Sequence, residues 1–271
     1  MLRIRVMFDG TSEAEQRRLS QVQEIFKLAF PEHPGEEEDL ARLVRSRGTP
    51  AYEATLLTLE SERGEVGGFA FVHLYAETRY AFLDFIAAHP KRRAQGVGGA
   101  LYEAVRELTA QRGARGLFME VSSDERAHVS DPSKLPQNRR RLAFYERFGA
   151  LPIVGTHYGE PPRTGPSFEP YLLLYDPLGR PPRLSRSDLR RMAASILVEK
   201  YRFAPDSEHV KRIVGSIRDN PVRQRPARYA EQGAFQAPTH GRLHPLKILV
   251  APHHEIHHVR DRGYEERQVG S

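Results

Sequence analysis

Residues 80–120 read YAFLDFIAAHPKRRAQGVGGALYEAVRELTAQRGARGLFME, and this stretch decides the fold. Its first nine residues are apolar or aromatic apart from one acid, a pattern typical of a buried strand. His89 and Pro90 end that strand, and a basic, glycine-rich turn follows. From Gly98 apolar residues recur at helical spacing as far as Gly113, and residues 117–121 are predicted to form the next strand.

The turn between this strand and helix is suited to binding an anion. Its glycines, Gly96, Gly98 and Gly99, let consecutive backbone N–H groups point into one concavity, where the helix also presents the positive end of its dipole. Lys91, Arg92 and Arg93 add positive charge just before the glycines. A pyrophosphate is the natural guest, so we expect a nucleotide-bearing cofactor.

Three known cofactor loops combine a strand, a glycine turn and a helix. A Walker loop is excluded because no Gly-Lys-Ser/Thr follows the glycines. A dinucleotide loop needs a third glycine where Leu101 stands and a tighter turn, although Glu120 lies where such loops carry a ribose-binding acid. The third loop fits best. Residues 93–98, Arg-Ala-Gln-Gly-Val-Gly, match [RQ]-x-x-G-x-[GA] and resemble the acetyl-CoA pyrophosphate loop of the GNAT acetyltransferase superfamily.

The order of predicted elements, β-α-α-β-β-β-α-β-α-β-β, is also that of the GNAT fold and covers residues 1–177. We therefore expect an α/β (α+β) protein with a mixed sheet of about seven strands flanked by helices and a helical C-terminal extension. The later elements are predicted as a helix over 138–148 and strands over 153–158 and 171–175. Residues 138–149 are similar to the GNAT pattern N-x-x-A-x-x-F-Y-x-x-x-G, with Arg141 at the small-residue position.

The resemblance implies where acetyl-CoA binds. In such proteins the fourth and fifth strands splay apart and the pantetheine arm pairs with the fourth, so Ile86, Ala87 and Ala88 are expected to bind the arm. Asn138 is expected beside it. The expected pyrophosphate site comprises Arg93, Ala94, Gln95, Gly96, Val97, Gly98 and Gly99.

Direct transfer to an amine requires a base for the ammonium, polarisation of the thioester and a proton for the leaving thiolate. The resemblance implies Tyr145 as the acid. Asp84 lies in an apolar strand, two residues before Ile86 and therefore expected on the same face, and Glu120 ends the next strand. Either acid could serve as the base or bind the acceptor, and either could instead pair with one of the many arginines.

These features predict an N-acetyltransferase that moves an acetyl group from acetyl-CoA to a primary amine. Acids at the pocket favour a cationic acceptor, either a small amine or a lysine side chain. The alternative is a non-catalytic acyl-CoA-binding module that regulates or scaffolds a partner through its C-terminal extension.

Composition limits the class of protein. The chain has 271 residues, 39% of them apolar, enough for one sizeable core. No apolar run is long enough to span a membrane, and the absence of cysteine excludes disulfides, thiolate catalysis and cysteine metal sites. A soluble cytoplasmic protein is expected.

The positive charge is concentrated in the C-terminal part. The formal charge is +6, and residues 181–245 hold 13 Lys/Arg against 6 Asp/Glu. Such a segment could contact nucleic acid or an acidic partner, but a solvated surface is the simpler interpretation, and nucleic acid is not expected. Residues 178–245 are interpreted as a linker and basic extension, with helices from Ser187 to Arg202 and Ser207 to Arg218, docked on the body or on a second subunit of a homodimer.

Residues 246–271 are predicted as a strand followed by a histidine-rich tail. His254-Glu255-Ile256-His257-His258 satisfies H-E-x-x-H, but a protease site needs a buried helix and a third ligand, so no metal site is expected. The strand, histidines and residues 261–267, Asp-Arg-Gly-Tyr-Glu-Glu-Arg, resemble the opening of histone-deacetylase-like amidohydrolases. This resemblance would make the chain the front portion of a longer acetyltransferase–deacetylase fusion.

Overall fold

A seven-stranded mixed sheet forms the centre of the protein, and helices cover both of its faces. The computed structural model describes residues 2–7, 10–163 and 168–229, without the side chains of Arg93 and Ala94. The strands are β1 (Leu2–Met7), β2 (Tyr52–Ser61), β3 (Val66–Tyr75), β4 (Tyr80–Ala88), β5 (Leu117–Ser122), β6 (Leu151–Pro152) and β7 (Tyr171–Asp176). The helices are α1 (Glu13–Ala29), α2 (Glu36–Ser46), α3 (Val97–Gln111), α4 (Leu135–Glu146), α5 (Arg186–Ser195) and α6 (Glu208–Ser216).

The strand order is β1-β2-β3-β4-β5-β7-β6, with β4 and β5 as the parallel pair. Parallel neighbours need a crossover connection, and α3 provides it. One apolar cluster lies between the sheet and α1, α2 and α5, and we call this side the front face. A second cluster lies beneath α3 and α4 on the back face. The architecture confirms the predicted fold class.

Strand β4 contains a β-bulge at Asp84. Phe71 of β3 pairs with Phe85, whereas Val72 pairs with Leu83, so Asp84 has no partner across the ladder. Such an extra residue reverses the facing of the residues beyond it. Asp84 contacts His73 and Lys200 on the front face, while Ile86 packs against the back cluster. The expectation that Asp84 and Ile86 share a face is therefore wrong, because alternation breaks at the bulge.

Beyond the bulge, β4 and β5 stop pairing. Their register runs from Ala81 opposite Leu117 to Leu83 opposite Met119 and ends there, although both strands continue. The result is a wedge-shaped gap in the middle of the sheet. Asp84 and Glu120 are the first residues on its two sides.

Two predicted elements of the catalytic body have different bounds. The fourth helix begins at Leu135 and not at Asn138, because Pro136 lies in its first turn, where a missing N–H costs nothing. The predicted strand over 153–158 is wrong. The strand that pairs with β7 is Leu151–Pro152, followed by one further hydrogen bond from the Ile153 N–H to the Leu173 carbonyl at 2.8 Å. Gly155, with φ of +74°, then lies in the left-handed region that a strand cannot accommodate.

The extension packs on the front face of the sheet. Its first helix is capped by Ser185 and not by Ser187, since the Ser185 hydroxyl accepts the Asp188 N–H at 3.1 Å. The predicted continuous helix to Arg202 is also wrong, because α5 ends at Ser195 and a π turn, Ile196–Lys200, follows. The second helix ends at Ser216. Leu189, Met192, Ile196 and Ile213 are among the extension's buried residues.

The predicted strand at 246–250 and the histidine-rich tail lie outside the described residues. Within the part of the chain that is described, no helix is long and apolar enough to cross a membrane. The same residues contain no cluster of three or more histidine or acidic side chains placed to hold a metal ion.

We predict that Gly68→Ala destabilises the protein. A Cβ at Gly68 would lie 2.6 Å from the Ala87 carbonyl oxygen and 2.7 Å from Val97 Cγ1. Both β4 and the start of α3 would therefore have to move away from β3. Overpacking of this kind lowers the free energy of unfolding by about 1 to 3 kcal/mol, measurable by urea denaturation.

The matched control is Gly215→Ala in α6, where a Cβ meets nothing within 4 Å. There the gain in helix propensity should raise the free energy of unfolding by about 0.5 to 1 kcal/mol. Equal stability changes in the two variants would contradict the tight packing of α3 on β3 and β4.

Candidate active site

The glycine turn leaves the N-terminus of α3 uncapped. A 3-10 turn, Pro90–Gln95, leads to Gly96, whose φ of 74° lies in the left-handed region, and α3 begins at Val97. No side chain caps the first N–H groups of the helix, and a Cβ on Gly98 or Gly99 would meet nothing within 4 Å. Uncapped N–H groups and the helix dipole together favour a bound anion here.

The other residues expected to bind the cofactor differ in whether their side chains are exposed or buried. Val97 is buried in the back cluster, so only its backbone faces the turn, whereas Gln95 is exposed. The side chains of Arg93 and Ala94 lie outside the described part of the chain. Asn138 is buried and donates its amide N–H to the Ser123 carbonyl at 2.8 Å, which fastens α4 to the loop after β5.

The backbone of β4 presents polar groups to the gap. The His89 N–H donates to the Gly67 carbonyl at 2.9 Å, so His89 faces β3. Because backbone groups of successive strand residues point to opposite sides, Ala87 also faces β3, while Ile86 and Ala88 face the gap. An extended chain lying in the gap could pair with these two residues.

A lysine of the extension lies between the two acids of the gap. Lys200 Nζ forms a close ion pair with Asp84 Oδ1 and lies 3.9 Å from Glu120 Oε2. Glu120 also accepts hydrogen bonds from the hydroxyls of Tyr158, at 2.6 Å, and Tyr201, at 2.5 Å. The structure thus brings together the two predicted acids and three side chains that the sequence did not single out.

Burial and charge act against each other in this cluster. Burial raises the pKa of Glu120, and Lys200 and the two tyrosine hydroxyls offset only part of that rise. Burial alone would lower the pKa of Lys200, but Asp84 and Glu120 outweigh it and raise the pKa. Lys200 is therefore an ammonium at neutral pH, and the raised pKa means that Glu120 holds a proton more readily than an exposed carboxyl does.

Tyr145 lies on the other side of the sheet. It belongs to the back cluster with Leu83 and Met119, and its ring packs edge-on against Tyr102 at 5.2 Å between centroids. Burial raises the pKa of Tyr145 to about 12. The phenol therefore keeps its proton at physiological pH and remains a hydrogen-bond donor. The two acids thus lie on the front face of the sheet and Tyr145 on its back face.

His73 is buried behind Asp84. Its Nε2 lies 3.5 Å from Asp84 Oδ2, its ring stacks on Tyr52 at 4.2 Å, and neither ring nitrogen makes a hydrogen bond. Burial lowers the pKa of His73 to about 4, an effect larger than the opposing one of Asp84. The histidine is therefore neutral at physiological pH.

We predict that His73 makes the protein less stable in acid. The unfolded state binds a proton at pH about 6.5 and the folded state only at about 4, so stability is full above 6.5 and falls as pH decreases between these values. The loss at pH 4.5 is between about 2 and 3 kcal/mol. Urea denaturation of the wild type and His73→Phe at pH 7.5 and about 4.5 measures it.

Phenylalanine preserves the ring packing but cannot be protonated, so His73→Phe should lose less stability on acidification by this amount. An equal loss in the two proteins would show that His73 is protonated in the folded state.

Comparison with known proteins identifies the family of this domain. A sequence model of the Acetyltransferase (GNAT) family matches residues 19–130, which include the bulge, the gap and the glycine turn. A search of functionally curated proteins gave no match.

Solved structures with a similar fold share little sequence with the chain. A GNAT-family protein from Desulfovibrio desulfuricans is 18% identical over 66% of this chain and 100% of that chain, with a TM-score of 0.49. An aminoglycoside 6'-N-acetyltransferase complexed with coenzyme A is 17% identical over 67% and 99%, with a TM-score of 0.48. The ribosomal-protein-S18-alanine N-acetyltransferase of Escherichia coli is 20% identical over 67% and 96%, with a TM-score of 0.43. On the family match and the geometry of its sheet, the chain carries a domain of the GNAT acetyltransferase family.

Proposed function

We propose that this protein transfers an acetyl group from acetyl-CoA to a primary amine by direct attack. The observation that carries the proposal is the gap between β4 and β5, with the carboxylates of Asp84 and Glu120 on the front and the Tyr145 phenol on the back. The uncapped glycine turn lies at the end of the same strand, where the diphosphate of the donor would bind.

The donor would lie along the back face of the gap. The backbone groups of Ile86 and Ala88 would pair with the pantetheine amides, since they face the gap and lack a strand partner there. Ala87 keeps this edge in place through its register with Phe69. The N–H groups of residues 97–99, at the positive end of the α3 dipole, would hold the pyrophosphate, with Arg93 nearby in sequence.

The reaction would run through the opening. The acceptor enters from the front, gives up a proton to Glu120, and its nitrogen attacks the thioester carbon. A C–N bond forms, the C–S bond breaks, and the thiolate leaves toward Tyr145 on the back. The nitrogen then loses its second proton to solvent to give the amide, and solvent returns a proton to the thiolate to give free CoA. Asp84 would anchor the ammonium before deprotonation. Glu120 is the better base because burial raises its pKa.

Tyr145 would stabilise the leaving thiolate by hydrogen bonding. With the pKa of Tyr145 at about 12 and that of a thiol near 8.5, complete proton transfer to the thiolate is uphill by about 5 kcal/mol. A hydrogen bond to the developing thiolate avoids that cost and still favours the departure of CoA.

The non-catalytic alternative has one observation in its favour. Lys200 and Tyr201 fill the front of the gap, where an acceptor would enter. A module that binds acyl-CoA without turnover would need no acceptor there. Amine-dependent release of CoA separates the two functions. In either case we expect the protein to be cytoplasmic, because its sequence contains no cysteine that could form a disulfide in an oxidising compartment.

We predict that Gly98→Glu weakens acetyl-CoA binding at least about tenfold. The new side chain points into open space beside the uncapped N–H groups, so its carboxylate repels the pyrophosphate without disturbing the fold. Gly98→Gln is the matched control, because it adds nearly the same volume without charge. Calorimetric titration with acetyl-CoA measures both.

If Gly98→Glu and Gly98→Gln bind acetyl-CoA with equal affinity, the diphosphate does not bind beside Gly98. No binding to the wild type would remove the basis for an acyl-CoA-dependent activity.

We predict that Glu120→Gln lowers kcat by about 10²- to 10⁴-fold, the usual contribution of a general base. In the wild type the rate should fall as pH decreases through the raised pKa of Glu120, because a protonated carboxyl cannot accept the ammonium proton. The variant should lack this limb of the profile. The assay follows CoA release with acetyl-CoA and a panel of primary amines.

Glu125→Gln is the control, since Glu125 is an exposed acid near the end of β5 whose ion-pair partner is His128. It should retain the wild-type rate and pH profile. Full activity of Glu120→Gln would exclude Glu120 as the base.

A further inference from the structure

The surroundings of Lys200 form a binding site for a primary ammonium group. Its Nζ contacts the two carboxylates of the gap and lies over three aromatic rings, at 5.1 Å from the centroid of Phe82, 5.3 Å from Phe85 and 5.2 Å from Tyr201. Carboxylates and ring faces are the groups that bind organic cations in proteins. All of them except Tyr201 belong to the sheet of the acetyltransferase body.

The charges in the cluster do not balance. Two carboxylates face one ammonium, and His73 behind them is neutral because burial lowers its pKa. Buried ion pairs seldom stabilise a fold more than apolar side chains of the same volume would. The cluster therefore has more negative charge than the docking of the extension requires, as expected of a site that receives a cation.

Several contacts that dock the extension lie outside the π turn that carries Lys200. Lys200 is the last residue of the π turn, and residues 202 and 204–206 after it are exposed. The extension is also held outside that turn, by Leu189 and Met192 of α5 in the front cluster and by the paired hydrogen bonds of Arg115 to Asp188, each 2.9 Å long. Rearranging the π turn would free the site while α5 stays in place.

Resting on the proposed function, we infer that this cluster is the acceptor subsite for the substrate's ammonium group and that Lys200 occupies it as an internal stand-in, which the acceptor displaces. Lys200 reaches the site through an unbranched chain of four methylenes, which ends in an Nζ 5.3 Å from the centroid of Phe85. The acceptor class that fits is therefore a primary amine at the end of an unbranched alkyl chain, such as a linear diamine. A competitor within the chain lowers the apparent affinity for the acceptor.

Binding to the site is tested without catalysis. In Lys200→Ala, n-butylammonium should raise the Tm saturably, with an apparent Kd at least about tenfold tighter than for the wild type. The neutral isostere n-butanol should not distinguish the two proteins. Adding Asp84→Asn to Lys200→Ala should weaken the effect of n-butylammonium. Equal shifts in wild type and variant, or none in either, would overturn the inference.

Two variants protect this test against misfolding and unspecific charge effects. Lys200→Met keeps most of the side-chain volume without the charge, so the same comparison can be made if Lys200→Ala does not fold. Lys211→Ala removes an exposed lysine from the same extension, paired with Glu208. It should behave as the wild type toward n-butylammonium, and a Tm gain equal to that of the Lys200 variants would overturn the inference.

Turnover with 1,5-diaminopentane tests the acceptor role. Its KM should fall at least about tenfold in Lys200→Ala or Lys200→Met, while the Kd for acetyl-CoA stays unchanged. An unchanged KM, or loss of activity in both variants, would show that Lys200 does not compete with the acceptor. Mass spectrometry of the wild type after incubation with acetyl-CoA should find Lys200 unmodified. Acetylation there would make Lys200 itself the acceptor and overturn the inference.

The outcomes also separate this inference from the proposed function. If the Lys200 variants bind n-butylammonium selectively but no variant releases CoA, both the acetyltransferase function and the acceptor role are wrong. The cluster is then a cation-binding site alone. If CoA release depends on the amine but does not change when Lys200 is replaced, the inference about Lys200 is wrong and the proposed acetyltransferase function stands.

Discussion

The loss of pairing between β4 and β5 is the constraint on which the site depends. Parallel strands joined by α3 are in register for only three residue pairs, and the bulge at Asp84 then turns β4 away. Backbone groups left without a strand partner inside a sheet need another one, because an unsatisfied buried N–H or C=O costs about 1 to 3 kcal/mol. The gap therefore offers backbone groups with which an extended ligand could pair. The carboxylates next to it stand on the two strands that diverge.

Much of this arrangement could be predicted from the sequence. Residues 66–75 and 80–88 are dense apolar runs bounded by turn residues, and both strands have the predicted bounds. The glycine turn could be recognised because its glycines, its basic spacer and the helix after it are consecutive in the chain. Asp84 and Glu120 were candidates because an acid in an apolar strand is conspicuous. Each of these patterns involves residues that are close together in the chain, so it can be recognised from the sequence without a structure.

The rest depends on contacts between distant parts of the chain. Lys200 meets Asp84 across 116 positions and Tyr201 meets Glu120 across 81, and no periodicity links such pairs. A lysine in an arginine-rich extension has the pattern of a solvated surface residue. The π turn that directs it inward differs from α-helix by one extra residue per turn, which composition does not reveal. The bulge at Asp84 was missed for the same reason, since strand alternation is assumed until a partner strand shows otherwise.

The extension and the gap are best understood through the cost of burying charge. Removing Lys200 alone would leave two carboxylates beside aromatic rings with little water, and each would then be driven to bind a proton or a cation. The two carboxylates at the front of the gap therefore need a neighbouring positive charge, which either the protein itself or a ligand can supply. In the structure the extension meets that requirement from within the chain. In the proposed reaction a substrate ammonium would meet it instead, and Glu120 would deprotonate its nitrogen. The same electrostatic demand that docks the π turn is thus suited to select the acceptor.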